Sequence, residues 1–336
     1  MVRVILLTYI LLLPLLSVAL ERTDTVSYDT AYFENYPDLL TTRLYFSRKY
    51  TGFHVAFPAL DGVVLKYAPN TTRNLGIGAS YEWATLNLAY GFGFMNPDRG
   101  EGDTRYLDLQ AHQYLGNFNI DFYGQFYQGY YLRNDEVTDE IGSPYVRPDI
   151  RVNEFGLTVQ YVLNHRKLSM RAAFINNSIQ KKSAGSFIFG MDIFYGKVSA
   201  DSTLIPYTFE IEPSQEYDQM DFFKLGPNLG YAFTLVFAKH FFFTGSLVAA
   251  LNGGYYDLTA AEVKDREGFF SADLNVRTAL GYNNSRLTLS AFFVNQRVQF
   301  TSNYRNILNV GNFRVIATYR LNAPGFLKKS KLLNPR

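Results

Sequence analysis

The chain has 336 residues, with 32 Lys and Arg against 30 Asp and Glu for a formal net charge of +2, and no cysteine. The near-neutral balance gives no reason to expect a nucleic-acid partner, and the missing thiols exclude a disulfide framework, thiolate chemistry and a Cys-based metal site. Aromatic residues make up 17% of the chain, 26 Tyr and 29 Phe against one Trp, yet the mean hydropathy is only −0.10.

The N-terminus reads as an export signal. Residues 1–19 carry one basic residue (Arg3), an apolar run from Val4 to Leu16 broken by Pro14, and the small residues Ser17-Val18-Ala19, with a cut expected after Ala19. The run is shorter than the roughly 20 apolar residues a membrane anchor needs. Residues 20–38 are expected to form a short, polar and aromatic periplasmic segment.

Apolar residues then recur at every second position, as in Leu86-Asn87-Leu88-Ala89-Tyr90-Gly91-Phe92-Gly93-Phe94. A period of two places successive side chains on opposite sides of a sheet. A sheet with one apolar face almost throughout points to an all-β fold, a transmembrane antiparallel up-and-down β-barrel over residues 39–321. Its polar lumen positions account for the modest hydropathy.

Strands are expected near Leu39–Tyr50, Asn74–Trp83, Thr85–Met95, Thr104–Leu115, Phe118–Leu132, Ile150–Leu163, Lys167–Asn176 and Ser186–Val198. They continue near Leu204–Ile211, Phe222–Phe237, Phe241–Leu251, Phe269–Tyr282, Arg286–Gln299 and Phe313–Leu321, about 14 in all. The count falls to 12 if Leu204–Ile211 and Leu39–Tyr50 lie outside the wall. Tight links such as Leu115-Gly116-Asn117-Phe118, Ala238-Lys239-His240 and Asn283-Asn284-Ser285 alternate with longer ones such as Arg133–Asp149 and Tyr255–Gly268. Short periplasmic turns and long external loops are the outer-membrane pattern, and this parity places a strand at Leu204–Ile211 despite Pro206. Residues 322–336 form a basic tail.

Alternation also sorts the wall into two faces. Outward positions include Leu75, Ile77, Leu88, Leu107, Leu157, Leu168, Met170, Leu229, Leu274 and Leu289. The intervening positions give the lumen candidates Asp108, His112, Asp121, Glu154, Arg171, Asp192, Asp273, Arg277, Arg314 and Arg320, with Glu82, Asn87, Gln125 and Asn228 among their polar neighbours. The signs are mixed, whereas a selective ion channel carries a ring of one sign. Such charges either pair across the interior and hold the barrel shut, or line a water-filled or substrate-conducting path, since fourteen strands enclose more space than wall side chains fill.

Of the four histidines only His112 lies mid-strand, on one face with Asp108 and Gln110. A serine partner for catalysis would have to come from another strand, so a hydrogen-bonded lumen histidine is the expected role. No His-x-His or His-x-x-x-His spacing is present, so neither a metal nor another cofactor is expected. The alternate glycines Gly76 and Gly78 mark a thin lumen face where strands bend or another segment packs close.

Particular strings resemble a family of Bacteroidota proteins designated domain of unknown function 4421. They are Tyr28-Asp29-Thr30-Ala31-Tyr32, Leu40-Thr41-Thr42-Arg43-Leu44-Tyr45-Phe46-Ser47-Arg48-Lys49-Tyr50, Tyr67-Ala68-Pro69-Asn70 and Leu75-Gly76-Ile77-Gly78-Ala79-Ser80-Tyr81, together with Arg105-Tyr106-Leu107-Asp108-Leu109-Gln110 and Gln180-Lys181-Lys182-Ser183-Ala184-Gly185-Ser186. The resemblance covers most of the mature chain and implies an exported outer-membrane protein with no assigned reaction. Its recurring strings hold strand and turn residues and no recognisable active site.

The expected partners are outer-membrane lipid and the barrel-assembly machinery. Because Asn322–Arg336 follows the last strand, that machinery would have to read an internal signal. The expected function is a structural or passive-transport barrel without catalysis. The alternatives are a specific conduit for a hydrophobic or glycan-like solute, served by lumen aromatics such as Tyr123, Tyr127 and Phe194, and a membrane-embedded lipid hydrolase.

Overall fold

The computed structural model describes residues 28–56, 64–81, 84–133, 143–206, 217–260, 263–301 and 305–329. The signal segment and Glu82 lie outside them. The strands are β1 (Phe33–Asn35), β2 (Leu39–Ala56), β3 (Val64–Ala68), β4 (Asn74–Tyr81), β5 (Ala84–Tyr90), β6 (Arg105–Leu115), β7 (Phe118–Leu132) and β8 (Val146–Val162). The chain continues with β9 (Ser178–Gln180), β10 (Ala184–Ser199), β11 (Gln219–Phe237), β12 (Phe241–Ala260), β13 (Val263–Asn283), β14 (Leu287–Thr301) and β15 (Arg305–Asn322).

Ten strands close into an antiparallel barrel in the order β15-β14-β13-β12-β11-β10-β8-β7-β3-β2, with β2 paired back to β15 along its whole length. Three further strands are attached to this ring: β4 pairs with the first half of β2, β5 with β4, and β6 with β7. β3 and β4 run in one direction along β2, β3 against Phe53–Ala56 and β4 against Thr41–Ser47. Pro69, which has no N–H to give to a ladder, begins the break between them.

One end of the barrel carries the tight turns and both ends of the wall's chain. Gly116 turns β6 into β7 at φ 51, and Ala238 and Lys239 turn β11 into β12 at φ 46 and 66. The opposite end carries the 14-, 13- and 19-residue links β5–β6, β7–β8 and β10–β11, but joins β12 to β13 and β14 to β15 in only two and three residues, while the 21-residue link from β8 to β10 hangs from the turn end. Alternation sets the faces: along β10, Phe187, Phe189, Met191, Ile193 and Tyr195 are exposed, while Ile188, Asp192, Phe194 and Val198 are buried inside. The outer face repeats this on every long strand, with Leu229 62% and Leu251 70% exposed. Ring clusters circle the turn end, Phe118–Tyr161–Phe189 on one side and Phe237–Phe241–Tyr282 on another.

Two expected strands leave the wall. Lys167–Asn176 alternates Leu168, Met170, Ala172 and Phe174, yet Met170–Phe174 is a short helix whose N-terminus is capped by the Ser169 hydroxyl, accepting from the Ala172 N–H at 3.3 Å. Met, Arg and Ala are good helix formers, and a segment surrounded by apolar groups on all sides needs no single apolar face. Leu168 and Met170 are therefore buried within the barrel, at 2% and 4% exposure, and do not face outward. With β1 and β9, which among the described residues pair only with each other, this helix plugs the turn end. At Leu204–Ile211 the described residues 204–206 are buried non-strand chain and 207–211 lie outside the described residues. Leu39–Tyr50, by contrast, is wall. The link Tyr255–Gly268 is mostly ladder, because β12 and β13 stay paired out to Ala260 and Val263.

The interior has two apolar clusters. Near the turn end, plug residues Leu168, Met170 and Phe174 pack on Tyr114, Ile188, Phe292 and Ile316 of the wall. Toward the loop end, Phe53, Tyr67, Leu132, Leu204, Ile205, Phe222, Phe300 and Leu308 form the second cluster. Tyr67 of β3 donates its hydroxyl to the Leu204 carbonyl at 2.6 Å, tying the inward loop to the wall.

Candidate functional site

Between the two clusters the ladder register brings polar side chains into rows. Asp108, Gln125 and Glu154 are direct neighbours on β6, β7 and β8, and His112, Asp121, Thr158 and Asp192 form a second row that extends to β10. All point inward because they share the parity of the buried positions on their strands.

Arg277 of β13 donates to Asp121 of β7 through two guanidinium nitrogens, and to the Tyr114 hydroxyl at 3.1 Å. His112 Nδ1 holds the same carboxylate at 2.7 Å. A second knot joins Lys224 of β11 to Asp273 of β13, whose carboxylate also accepts from Asn252 at 2.9 Å and from the Gln299 N–H at 2.8 Å. Lys224 further donates to the Gln299 carbonyl at 3.3 Å and lies over the Phe194 ring. Asp108 accepts from Lys49 at 3.1 Å, from the Tyr127 hydroxyl at 2.6 Å and from Gln110 at 3.2 Å. Asp192 accepts from Asn228 at 2.6 Å. Buried charges that keep such partners avoid the large penalty of standing alone in a low-dielectric interior.

Arg320, fully buried, donates to the carbonyls of Asn176 and Asn284 at 2.7 Å each and to the Thr288 hydroxyl at 2.9 Å. It thereby latches the plug to the turn end. Arg314 instead places its guanidinium over the Tyr45 and Phe292 rings, at 4.7 and 5.5 Å. Arg171 is not a wall residue: it sits on the plug helix and reaches Asn177 at 3.4 Å. Glu154 is fully buried, and neither of its carboxylate oxygens has a hydrogen-bond partner among the described residues.

Sequence reasoning missed Lys224, Lys49 and Arg43. Lys224 shares the parity of Asn228 on β11, so extending the alternation by four residues would have found it. Arg43 donates to Ser80 at 2.5 Å and to Asn87 at 3.4 Å, and Gly78 makes this possible, since a Cβ there would meet the Asn87 side chain at 2.1 Å and Arg43 at 2.9 Å. Gly76 clears Tyr45 in the same way.

A cavity among Thr158, Gln160, Asp192, Asp273, Asn275 and Gln296 holds about 10 Å³, roughly the room of a single water. A different opening lies in the wall. Among the described residues β5 pairs only with β4 and β6 only with β7, so a seam without ladder bonds separates β5 from β6. Its loop end is pinned by Asn70 N–H to Thr104 at 2.7 Å and by the Thr72–Tyr106 hydroxyl contact at 2.7 Å. β5 is uncovered over residues 86–90, with Leu86, Asn87, Leu88, Ala89 and Tyr90 all exposed.

The family described as domain of unknown function (DUF4421) matches residues 27–321. The chain belongs to that family. No curated protein matches this DUF4421 chain. Among solved structures it is similar to the outer membrane protease OmpT from Escherichia coli, at 10% identity over 85% of this chain and 97% of that one, with a TM-score of 0.36. It is also similar to the toluene transporter TodX of P. putida, at 9% identity over 85% and 91% and a TM-score of 0.24. A third likeness is to Neisserial surface protein A, at 7% identity over 84% and 97% and a TM-score of 0.20. Likeness of this degree transfers no activity to the DUF4421 chain.

Proposed function

We propose that the protein is an outer-membrane β-barrel with a structural or passive-transport role and no catalytic activity, and that its lumen is closed along its axis. The membrane part rests on the outer face. From Leu225 to Phe237 the outward residues of β11 are predominantly apolar and exposed, and a strand tilted by about 40° climbs roughly 30 Å over that length, enough for an apolar band about 25 Å tall. Water-soluble monomers rarely expose contiguous apolar patches beyond a few hundred Å².

One observation carries the closed axis: the Arg277–Asp121 pair crosses the interior from β13 to β7 between two apolar clusters, with Lys224 and Asp273 pairing beside it along the β11–β13 wall. Membrane fractionation together with unboiled electrophoresis tests the barrel reading. A faster-migrating, heat-sensitive band in the outer-membrane fraction is expected, and a water-soluble monomer would contradict it.

The seam favours a second reading, a conduit for a hydrophobic or glycan-like solute that enters from the side. Unpaired strand edges are costly in hydrocarbon, and an opening between β5 and β6 would connect the bilayer with the interior without opening the axis. Uptake of a labelled hydrophobic solute into protein-containing liposomes tests it; uptake equal to that of protein-free liposomes would count against it.

A further inference from the structure

The outer face of β6, β7 and β8 carries a second arrangement of charge. The ladder places Arg105, Gln128 and Arg151 side by side in one row, and Leu107, Phe126 and Asn153 side by side in the next toward the turn end. These residues, with Tyr106 and Tyr127, line an open depression of about 340 Å³. Beyond it the outward positions turn apolar, with Leu109, Phe155 and Leu157 exposed. No carboxylate lines the depression, and neither Arg105 nor Arg151 makes a salt bridge among the described residues. The far side of the barrel differs: at the loop end of β12 and β13, Asp257 neutralises Lys264 and Arg266 at 2.9 and 2.6 Å.

We infer that this depression is a binding site for the phosphate headgroup of an anionic membrane lipid, with Arg105 and Arg151 flanking the phosphate and Leu107 and Phe126 supporting the start of an acyl chain. The inference rests on the outer-membrane reading, which supplies the lipid. Three features fix the ligand class. Two guanidiniums in one register row present planar N–H donors suited to an oxyanion. Leu107 and Phe126 directly beneath suit the apolar part of an amphiphile and give a free anion nothing. The site stands at the loop-end margin of the apolar belt, the height at which headgroups lie, and loops of this length face outward in outer-membrane barrels. It also borders the first residues of β6, so a lipid held there stands at the mouth of the seam.

The test is native mass spectrometry of the full chain in non-ionic detergent, titrated with dioleoyl phosphatidate or dioleoyl phosphatidylcholine. The wild type should retain phosphatidate at least 10-fold more tightly than phosphatidylcholine. Arg105→Gln and Arg151→Gln should each erase most of that preference, whereas Lys239→Gln, an exposed cation at the turn end, should leave it unchanged. Gln128→Glu keeps both arginines and gives them a carboxylate between them, so it should weaken phosphatidate retention even if the arginine variants assemble poorly. Inorganic phosphate at matched concentration should displace little phosphatidate; displacement on an equal footing would overturn the lipid assignment. Equal retention of phosphatidate by wild type and Gln128→Glu would overturn the site. Unboiled mobility, recorded on each sample, separates that failure from failure of the barrel itself.

Discussion

Arg277 and Asp121 meet across the full width of the barrel: β13 and β7 are five strands apart in either direction around the ten-strand ring, and both side chains are buried. A contact of this kind fixes the diameter of the interior as well as blocking it. It is made by residues 156 positions apart in the chain, so it can form only once the ring has closed.

Removing one partner should therefore be costly. Arg277→Ala leaves the Asp121 carboxylate buried with only His112 and is expected to lower unfolding stability by about 3–5 kcal/mol. Arg277→Met combined with Asp121→Leu should recover most of that loss, because no charge is then stranded. Urea unfolding followed by unboiled electrophoresis measures both; a double variant no better than the single would mean that the pair is not what closes this part of the lumen.

The plug makes a separate prediction. Arg320→Met removes the donors to Asn176 and Asn284 and should release residues 167–182 while the wall stays intact. Hydrogen exchange should speed up in that segment and remain slow in β11 to β13. Uniform loss of protection would show that Arg320 holds the barrel rather than the plug.

Substitution on the two faces tests the proposed bilayer contact. Leu229→Arg and Leu289→Arg put charge on the apolar belt and should each cost about 2–4 kcal/mol if the position lies near the midplane. Lys264→Ala, beyond the belt, should be neutral in assembly. Ser290→Arg is also expected to fail, for a different reason: Ser290 is buried and accepts from Asn176 of the plug at 2.9 Å. Tolerance of Leu229→Arg and Leu289→Arg would place this face in water.

The two faces of the wall were legible from alternation alone, because a period of two states which side each residue takes whatever the neighbouring strand is. Phe118–Leu132 was read with the bounds that β7 has. Lys167–Asn176 was misread because Leu168, Met170, Ala172 and Phe174 satisfy a strand's period while buried on every side, where period carries no information. Removing both that strand and Leu204–Ile211 reverses only Ser186–Val198 and keeps every strand from Phe222 onward in step, which is why the turn and loop parity looked consistent with fourteen. β3, β1 and β9 were missed since three to five residues are too few to show a period. Which charges pair was beyond reach: parity puts Asp121 and Arg277 in the lumen, but the partner across the ring depends on strand order and stagger, which no local pattern encodes.

The seam also has a measurable signature. Backbone amides of β5 and β6 that point toward each other lack ladder acceptors among the described residues, so they should exchange hydrogen faster than amides within the β12–β13 ladder. Equal protection would show that the two edges zip together.

Conductance across a planar bilayer tests the central claim most directly. A lumen shut by the Arg277–Asp121 pair between the two apolar clusters should give the wild-type protein little steady current, with Arg277→Ala raising intermittent leakage. A large, stable, ohmic conductance from the wild type would contradict the closed axis and make the protein a pore.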